Sequence, residues 1–351
     1  MAQGWTIREV ADRAGVSLGT VSNVLNRPEL VAETTRTRVI SVIDELGFVR
    51  NASAHQLRAG TSRAVGLVVI DVANPFFTEM ARGAEDAANE AGLVVILCNS
   101  DGSTDKEQKY LRLLEEQRVA GVLITPVQRR PPSLTKLRER GTATVLLDRA
   151  GRRREQCSVA VDDVYGGRIA AEHFVDLGHR RVALVNGPSD IKQCADRRRG
   201  FVAGLEACTE KIDLREIIAP AMNVKQGEEA AVELAGLPKL PSAVFCTNDL
   251  LAVGLLRGLL SQGLRVPDDV AIIGYDDIVF ASSAIVALTS VRQPAYEIGR
   301  TGMELLMDEA RDSEHKHRNV VFKPELVVRT STVGDAASLS PELGSARAQR
   351  V

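Results

Sequence analysis

The chain has 351 residues, 44% of them hydrophobic and 26% charged, with a formal net charge of −2. That length suits two or three compact units, and that composition suits an ordinary soluble globular protein. No apolar run approaches the roughly 18 residues of a membrane span, and the first ten residues, which include Arg8 and Glu9, lack the apolar core of an export signal. The five cysteines (Cys98, Cys157, Cys194, Cys208, Cys246) are odd in number and scattered, with no C-x-x-C pair. Reduced thiols in a cytoplasm fit this better than a disulfide framework or a zinc site. Residues 1–62 carry seven arginines against six acidic residues, a net +1, which leaves −3 for the remainder. So weak a footprint means that any nucleic-acid role must rest on a motif.

Three helices are predicted first. Thr6-Ile7-Arg8-Glu9 has the form of a capping box, with Ile7, Val10, Ala11 and Ala14 following as one buried helical stripe. Gly15 supplies a left-handed stop, and Ser17 caps a second helix whose inner face is Val21, Val24 and Leu25. A third helix over 33–46 buries Val39, Val42, Ile43 and Leu46 and ends on Gly47 and Phe48. The spacing is that of a helix-turn-helix, although a three-helix structural domain without a DNA role has the same spacing. Thr20, Ser22 and Asn26 on the outer face of the second helix suit phosphate contact, as do Thr6 and Ser17 at helix N-termini, where anions gather. Leu18, Gly19 and Asn23 take the positions that would meet base edges.

These residues carry a specific resemblance. Thr6-Ile7-Arg8-Glu9-Val10-Ala11, Ala14-Gly15-Val16-Ser17, Thr20-Val21-Ser22 and Val24-Leu25-Asn26 resemble the DNA-binding head of the lactose/galactose repressor (LacI/GalR) family. The resemblance makes Leu18, Gly19 and Asn23 the major-groove readers, where the lactose-repressor pattern carries Tyr, Gln and Arg. Gly19 has no side chain to offer, Leu18 can touch a thymine methyl, and Asn23 suits adenine better than guanine. It also implies a hinge in 51–62. By itself Asn51-Ala52-Ser53-Ala54-His55-Gln56-Leu57-Arg58 is a linker or a helix too short to be stable alone. In the family this segment orders on DNA and drives a leucine into the minor groove; Leu57 matches that wedge and Ala54 the small residue beside it.

From Ala64 onward, short β-branched runs alternate with amphipathic helices. Strands are predicted over 65–71, 94–99, 121–125, 145–148, 182–186, 243–247 and 270–275, and helices over 78–91, 106–118, 167–177, 197–207, 227–234, 250–262 and 298–309. Alternation of this kind predicts parallel sheets covered on both faces, with too many strands for one sheet and hence two lobes. A cleft is expected where strand C-termini face one another, and polar residues stand at those ends: Asn74, Asp148, Asn186, Asn248, Asp249, Asp276 and Asp277. Any one of them could merely cap a helix; together with Arg197 they suggest a polar ligand site.

The resemblance extends here through Val161-Asp162-Asp163, Leu177-Gly178-His179-Arg180-Arg181, Thr247-Asn248-Asp249, Gly274-Tyr275-Asp276-Asp277 and Leu288-Thr289-Ser290-Val291-Arg292-Gln293-Pro294. It implies a small all-α helix-turn-helix head (1–50), the hinge (51–62) and a two-lobed α/β domain like that of periplasmic sugar-binding proteins (63–334). The first lobe would span about 63–162 plus 292–322 and the second about 163–291 plus 323–334, with 335–351 a flexible tail. Arg197, Asn248 and Asp276 match positions that hold ligand hydroxyls, and Phe76, Phe77 and Asp148 match first-lobe positions near the ligand. Met222 stands where purine-binding members have a Phe, which favours a sugar effector over a nucleobase. Donors, a mixed amide and acceptors of this kind satisfy vicinal hydroxyls.

The expected function is a sequence-specific DNA-binding transcriptional regulator of the cytoplasm, most simply a repressor, whose grip on palindromic operator DNA is set by a small effector. No Walker A run, G-x-G-x-x-G, G-x-S-x-G or H-E-x-x-H motif supports an enzyme, and no cofactor is implied. His315-x-His317 has no Cys or carboxylate at helical ligand spacing, so a solvated loop rather than a metal site is expected. A sugar-modifying enzyme or an exported solute-binding protein with the same large domain are the rival readings. The tail has only Leu339 and Leu343 at wide spacing and no heptads, which predicts a homodimer rather than a tetramer.

Overall fold

A computed structural model describes residues 5–48, 62–127, 132–151, 155–312 and 314–338. The chain divides into two compact units, Met1–Ser62 and Arg63–Val351. The segment predicted as a hinge, with Ala54 and Leu57, and residues 339–351 lie outside the described residues.

The described residues of the head form three helices, α1 (Ile7–Ala14), α2 (Leu18–Asn26) and α3 (Glu33–Leu46), with a 3₁₀ turn at Pro28–Leu30. Its boundaries follow from the caps. The Thr6 amide donates to Glu9 Oε2 at 2.7 Å, and the Glu9 amide donates back to Thr6 Oγ1 at 3.4 Å. Gly15 (φ 66°) ends α1 in the left-handed region, where a side chain would strain the backbone. Gly47 (φ 60°) ends α3, and the Phe48 amide reaches Ile43 O at 3.0 Å. Val10, Ala11, Ala14, Val21, Val24, Val39 and Val42 form the core, with Ile7, Val16, Leu25, Ile43, Leu46 and Phe48 packed around it. Small and β-branched residues suffice because three short helices cross closely.

Among the described residues, the second unit holds two six-stranded sheets. The first is made of β1 (Ala64–Val69), β2 (Val94–Asn99), β3 (Gly121–Ile124), β4 (Ala143–Leu147), β5 (Cys157–Val161) and β11 (Asn319–Phe322). Their order is β11-β5-β4-β3-β1-β2, all parallel. The second contains β6 (Arg181–Asn186), β7 (Asp213–Ile218), β8 (Ala243–Cys246), β9 (Ala271–Asp276), β10 (Thr289–Arg292) and β12 (Glu325–Val327). Its order is β12-β10-β9-β8-β6-β7, with only the β10–β12 pair antiparallel. The chain passes between the sheets three times, after Val161, after Arg292 and after Phe322.

Helices α4 (Pro75–Glu90), α5 (Thr104–Glu116), α6 (Pro132–Glu139) and α12 (Ala295–Arg311) serve the first sheet. The second has α7 (Asp163–Asp176), α8 (Lys192–Glu206), α9 (Val224–Ala235), α10 (Asp249–Ser261), the short α11 (Val279–Ser283) and α13 (Thr330–Ser338). α13 breaks at Gly334 (φ 72°) and continues past 335, where the sequence reading begins a tail. Strands β3, β4 and β5 are buried along their whole length, as parallel strands covered on both faces must be.

One close approach positions the site. A Cβ on Gly167 of α7 would lie 2.0 Å from Arg197 O, and one on Gly200 of α8 would lie 1.9 Å from Val164 O. The paired glycines let the two helix backbones touch, which sets Arg197 beside the first turn of α7.

Candidate functional site

In the head, Ser17 caps α2 by accepting the Thr20 amide at 3.1 Å, and its hydroxyl lies 2.9 Å from Thr20 Oγ1. Asn26 Nδ2 donates to Ser22 O at 2.8 Å and to Ser22 Oγ at 3.2 Å. Ser17, Leu18, Gly19, Asn23 and Asn26 are exposed, Thr20 and Ser22 are half-buried, and Thr6 is exposed at the start of α1. Leu18 is 41% exposed on that face. One surface of α2 thus carries hydroxyls and amides around an open helix N-terminus and an apolar tip, the means to hold phosphates and touch bases.

In the second unit a cavity of about 390 Å³ opens at the carboxyl ends of the two sheets. All seven residues singled out in the sequence, Phe76, Phe77, Asp148, Arg197, Met222, Asn248 and Asp276, line it. Phe76 and Phe77 sit in the first turn of α4, which Asn74 caps through a 3.0 Å bond from the Phe76 amide, and their rings meet edge to face at 5.2 Å. Asn248 caps α10, accepting the Leu251 amide at 2.9 Å, while its Nδ2 donates to Met222 O at 3.0 Å. Capping and lining are therefore not alternatives for this residue; it does both.

Arg197 is the hub. Its Nε donates to Asp163 Oδ1 at 2.8 Å and its NH1 to Thr247 O at 2.7 Å. The guanidinium lies 3.7 Å from the centre of the Tyr275 ring, and NH1 stands 3.6 Å from Asp276 Oδ1. Tyr275 OH also donates to Asp163 Oδ1, at 3.0 Å. Asn74 and Gln193 reach across between the lobes: Asn74 Nδ2 donates to Asp276 Oδ2 at 3.3 Å, and Gln193 Nε2 donates to Asp148 O and Oδ2, both at 2.8 Å. Gln293 Nε2 steadies Asp276 Oδ1 at 2.7 Å.

The backbone marks the same carboxylates. Asp101 (φ 54°), Asp148 (φ 52°) and Asp276 (φ 107°) line the cavity in the left-handed region, a conformation costing on the order of 1–3 kcal/mol each. Asp249 holds the turn after β9, accepting the Ile278 amide at 2.8 Å and the Ser290 hydroxyl at 2.7 Å. Burial drives the titration: desolvation and the neighbouring Asp163 push Asp148 up to about 7. Desolvation pushes Asp276 up to about 6 against the pull of Arg197, Asn74 and Gln293. Asp148 Oδ1 is buried without a hydrogen-bond partner, an acceptor ready for a ligand donor.

Sequence reasoning gave neither Asp163 nor Gln193 a role of its own. A signal for Asp163 was present: Asp162 is the N-cap of α7, accepting the Tyr165 amide at 2.9 Å, so the second Asp of the pair had no capping work to do. The solvated-loop expectation for His315-x-His317 is corrected. Both histidines are half-buried, and the fold gathers them with Cys157 and Glu309, brought from distant parts of the sequence. No helix among the described residues is long and apolar enough to cross a membrane.

A helix-turn-helix and a two-lobed ligand cleft in one chain define a ligand-responsive DNA-binding regulator. Residues 6–51 match the description "Bacterial regulatory proteins, lacI family", and residues 171–332 match "Periplasmic binding protein-like domain". The chain is 34% identical over 327 residues to an HTH-type transcriptional repressor PurR of Photobacterium profundum, covering 93% of this chain and 98% of that one. It is similar to the lac repressor dimer bound to operator and the anti-inducer ONPF (26% identity, TM-score 0.81, 94% of this chain and 99% of that one). It is also similar to the transcriptional regulator CelR in complex with cellobiose (32% identity, TM-score 0.69, 93% and 99%). The protein belongs to the lacI family, and it is a DNA-binding transcriptional repressor, not an enzyme.

Proposed function

We propose that this repressor works in the cytoplasm, grips a palindromic operator as a homodimer, and adjusts that grip when a sugar enters the cleft. The observation that carries the sugar reading is the donor and acceptor set of the cavity. Carboxylates from both lobes (Asp148, Asp276), the Asn248 amide and the Arg197 guanidinium converge beside the Phe76–Phe77 wall. Carboxylates accept hydroxyl hydrogens, the guanidinium donates to hydroxyl oxygens, and an amide does either, which is what a polyol needs. The volume lies at the small end of the range for ligand pockets. The cellobiose complex of a relative adds support.

The competing effector is a nucleoside, which the aromatic wall could also seat. A thermal-shift screen of the full chain against sugars and nucleosides separates them, because a ligand raises the melting temperature by mass action. Sugars are expected to shift it; a shift by nucleosides alone refutes the sugar.

On the DNA side, Thr6, Ser17, Thr20, Ser22 and Asn26 would hold phosphates, Leu18 and Asn23 would touch base edges beside Gly19, and Ala54 and Leu57 would wedge the minor groove. Deleting residues 1–62 should abolish operator binding and spare effector binding. Dimerisation is supported by the open edge of the first sheet, where Val94, Ile96 and Leu97 of β2 are 63%, 39% and 46% exposed. Light scattering should give twice the chain mass; a monomer or tetramer would overturn it.

A further inference from the structure

Residues 314–318, which lead into β11, fold back on the first residue of β5. Cys157 Sγ lies 3.1 Å from His315 Nε2 and 3.8 Å from His317 Nδ1. Glu309 Oε2, from the last turn of α12, lies 3.6 Å from His317 Nδ1. The four donor atoms all fall within 4.8 Å of one another. A zinc tetrahedron with a metal–sulfur bond of about 2.3 Å and metal–nitrogen or –oxygen bonds of about 2.0–2.1 Å has edges of roughly 3.3–3.6 Å. The observed separations bracket that figure, so one cation would reach all four donors after shifts of a few tenths of an ångström to about an ångström.

The chemistry of the set is selective. A thiolate and a carboxylate supply two negative charges and the imidazoles none, so a dication is neutralised on binding. Sulfur with two imidazole nitrogens favours a zinc-class ion over magnesium or calcium, which prefer oxygen cages.

Two further observations point to a ligand rather than to a chance thiol–imidazole bond. Glu309 Oε2 is buried with no hydrogen-bond partner and faces the cluster, while its Oε1 accepts the Thr144 amide at 3.3 Å. The Arg318 amide donates to Cys157 Sγ at 3.3 Å, the kind of outer bond that orients a thiolate ligand. Arg138, a nearby cation that would oppose a metal, has its guanidinium on Gln156 Oε1 at 3.4 Å.

We propose that Cys157, Glu309, His315 and His317 form a closed four-ligand site for a zinc-class divalent cation. It lies at the amino edge of the first sheet. β5 runs parallel to β1 through β4 and β3, and the effector cleft opens at the opposite, carboxyl edge. Metal and effector would therefore be separate inputs that do not compete for residues.

The test is Co(II) titration of the reduced full-length protein. One equivalent should give the intense visible ligand-field bands of tetrahedral cobalt and a sulfur-to-cobalt charge-transfer band in the near ultraviolet, both lost on adding Zn(II). Cys157→Ser should remove the charge-transfer band, and His317→Ala, on the loop, should weaken binding at least about tenfold, as loss of a metal ligand or its support does. Circular dichroism melts establish that each variant is folded. A purely octahedral cobalt spectrum, or a charge-transfer band that survives Cys157→Ser and so belongs to another thiol such as Cys208, overturns the proposal. Equal cobalt affinity in folded His317→Ala and wild type does so too.

Discussion

Arg197 offers the sharpest test of how the cleft is held together. Arg197→Met keeps the bulk of the side chain and removes the charge. Arg197 is 3% exposed, and its bonds go to Asp163 and the Thr247 carbonyl, with Asp276 close by. Removing one partner of a buried ion pair costs about 3–5 kcal/mol, because the other charge is left uncompensated. Here the carboxyls have a way out, since Asp276 and Asp148 already titrate near 6 and 7. Arg197 pulls both down, so its loss lifts both further. A carboxyl whose folded pKa exceeds its unfolded value of about 3.9 holds more protons folded than unfolded between the two. Stability therefore falls as pH rises through that window. The variant should show nearly the full deficit at about pH 8. At about pH 5.5 the deficit should be smaller, by about 1.4 kcal/mol for each unit that each carboxyl climbs. Urea denaturation followed by circular dichroism measures both, since the sole tryptophan, Trp5, lies in the head and would not report on the cleft. A deficit that is the same at both pH values, or that grows on acidification, would show that the buried carboxyls do not answer to Arg197.

Three further outcomes follow from the same geometry. The neutral sugar proposed as effector should bind more tightly as pH rises from about 5 to about 8, because hydroxyl donors favour the ionised forms of Asp148 and Asp276, and calorimetry should register proton release on binding below neutrality. Gly200→Ala should cost at least about 1–3 kcal/mol and lower effector affinity, since its Cβ would fall 1.9 Å from Val164 O and force α8, with Arg197, away from α7; an unchanged urea midpoint would contradict this. Ser17→Ala should remove about 1 kcal/mol from the head by uncapping α2, read as an earlier melt through Trp5 with the large unit unmoved.

The head was legible almost residue by residue because its determinants are local. A capping box, a left-handed glycine and a three-residue turn act within a few positions of one another, and each predicted core residue from Ile7 to Leu46 packs where its spacing put it. In the large unit the alternation of strand and helix was legible, but the helix starts were placed late. α8 begins at Lys192, not 197, and α12 at Ala295, not 298, because first turns are built from polar and capping residues that carry no apolar period. Strand β7 was missed because, as an edge strand with Asp213, Arg215 and Glu216, it lacks the apolar run of an interior strand. Asp148, Asn248 and Asp276 could be gathered because strand C-termini are a topological address, whereas Phe76, Phe77 and Met222 were placed beside them only by the family resemblance. The cluster around Cys157 has no such address: its members come from β5, the end of α12 and a loop, up to 160 positions apart in sequence, and only the fold makes them neighbours.

Asn74 and Gln193 tie the lobes across the cleft through two of the carboxylates that line the cavity. Asn74, from the first lobe, reaches Asp276 in the second, and Gln193, from the second, reaches Asp148 in the first. A carboxylate has about four lone-pair directions, so each still has acceptor capacity, most plainly Asp148 Oδ1, which is buried and unbonded. An effector that donates to the vacant directions leaves both ties in place and adds a third bridge, favouring the closed lobes. An effector whose hydroxyl takes the place of Gln193 or Asn74 cuts a tie and favours the open ones. Tight binding alone distinguishes nothing, because only the difference in affinity between the two lobe arrangements can move their equilibrium. Which lone pairs the effector occupies therefore fixes the arrangement it selects and, by linkage, the direction in which DNA affinity moves.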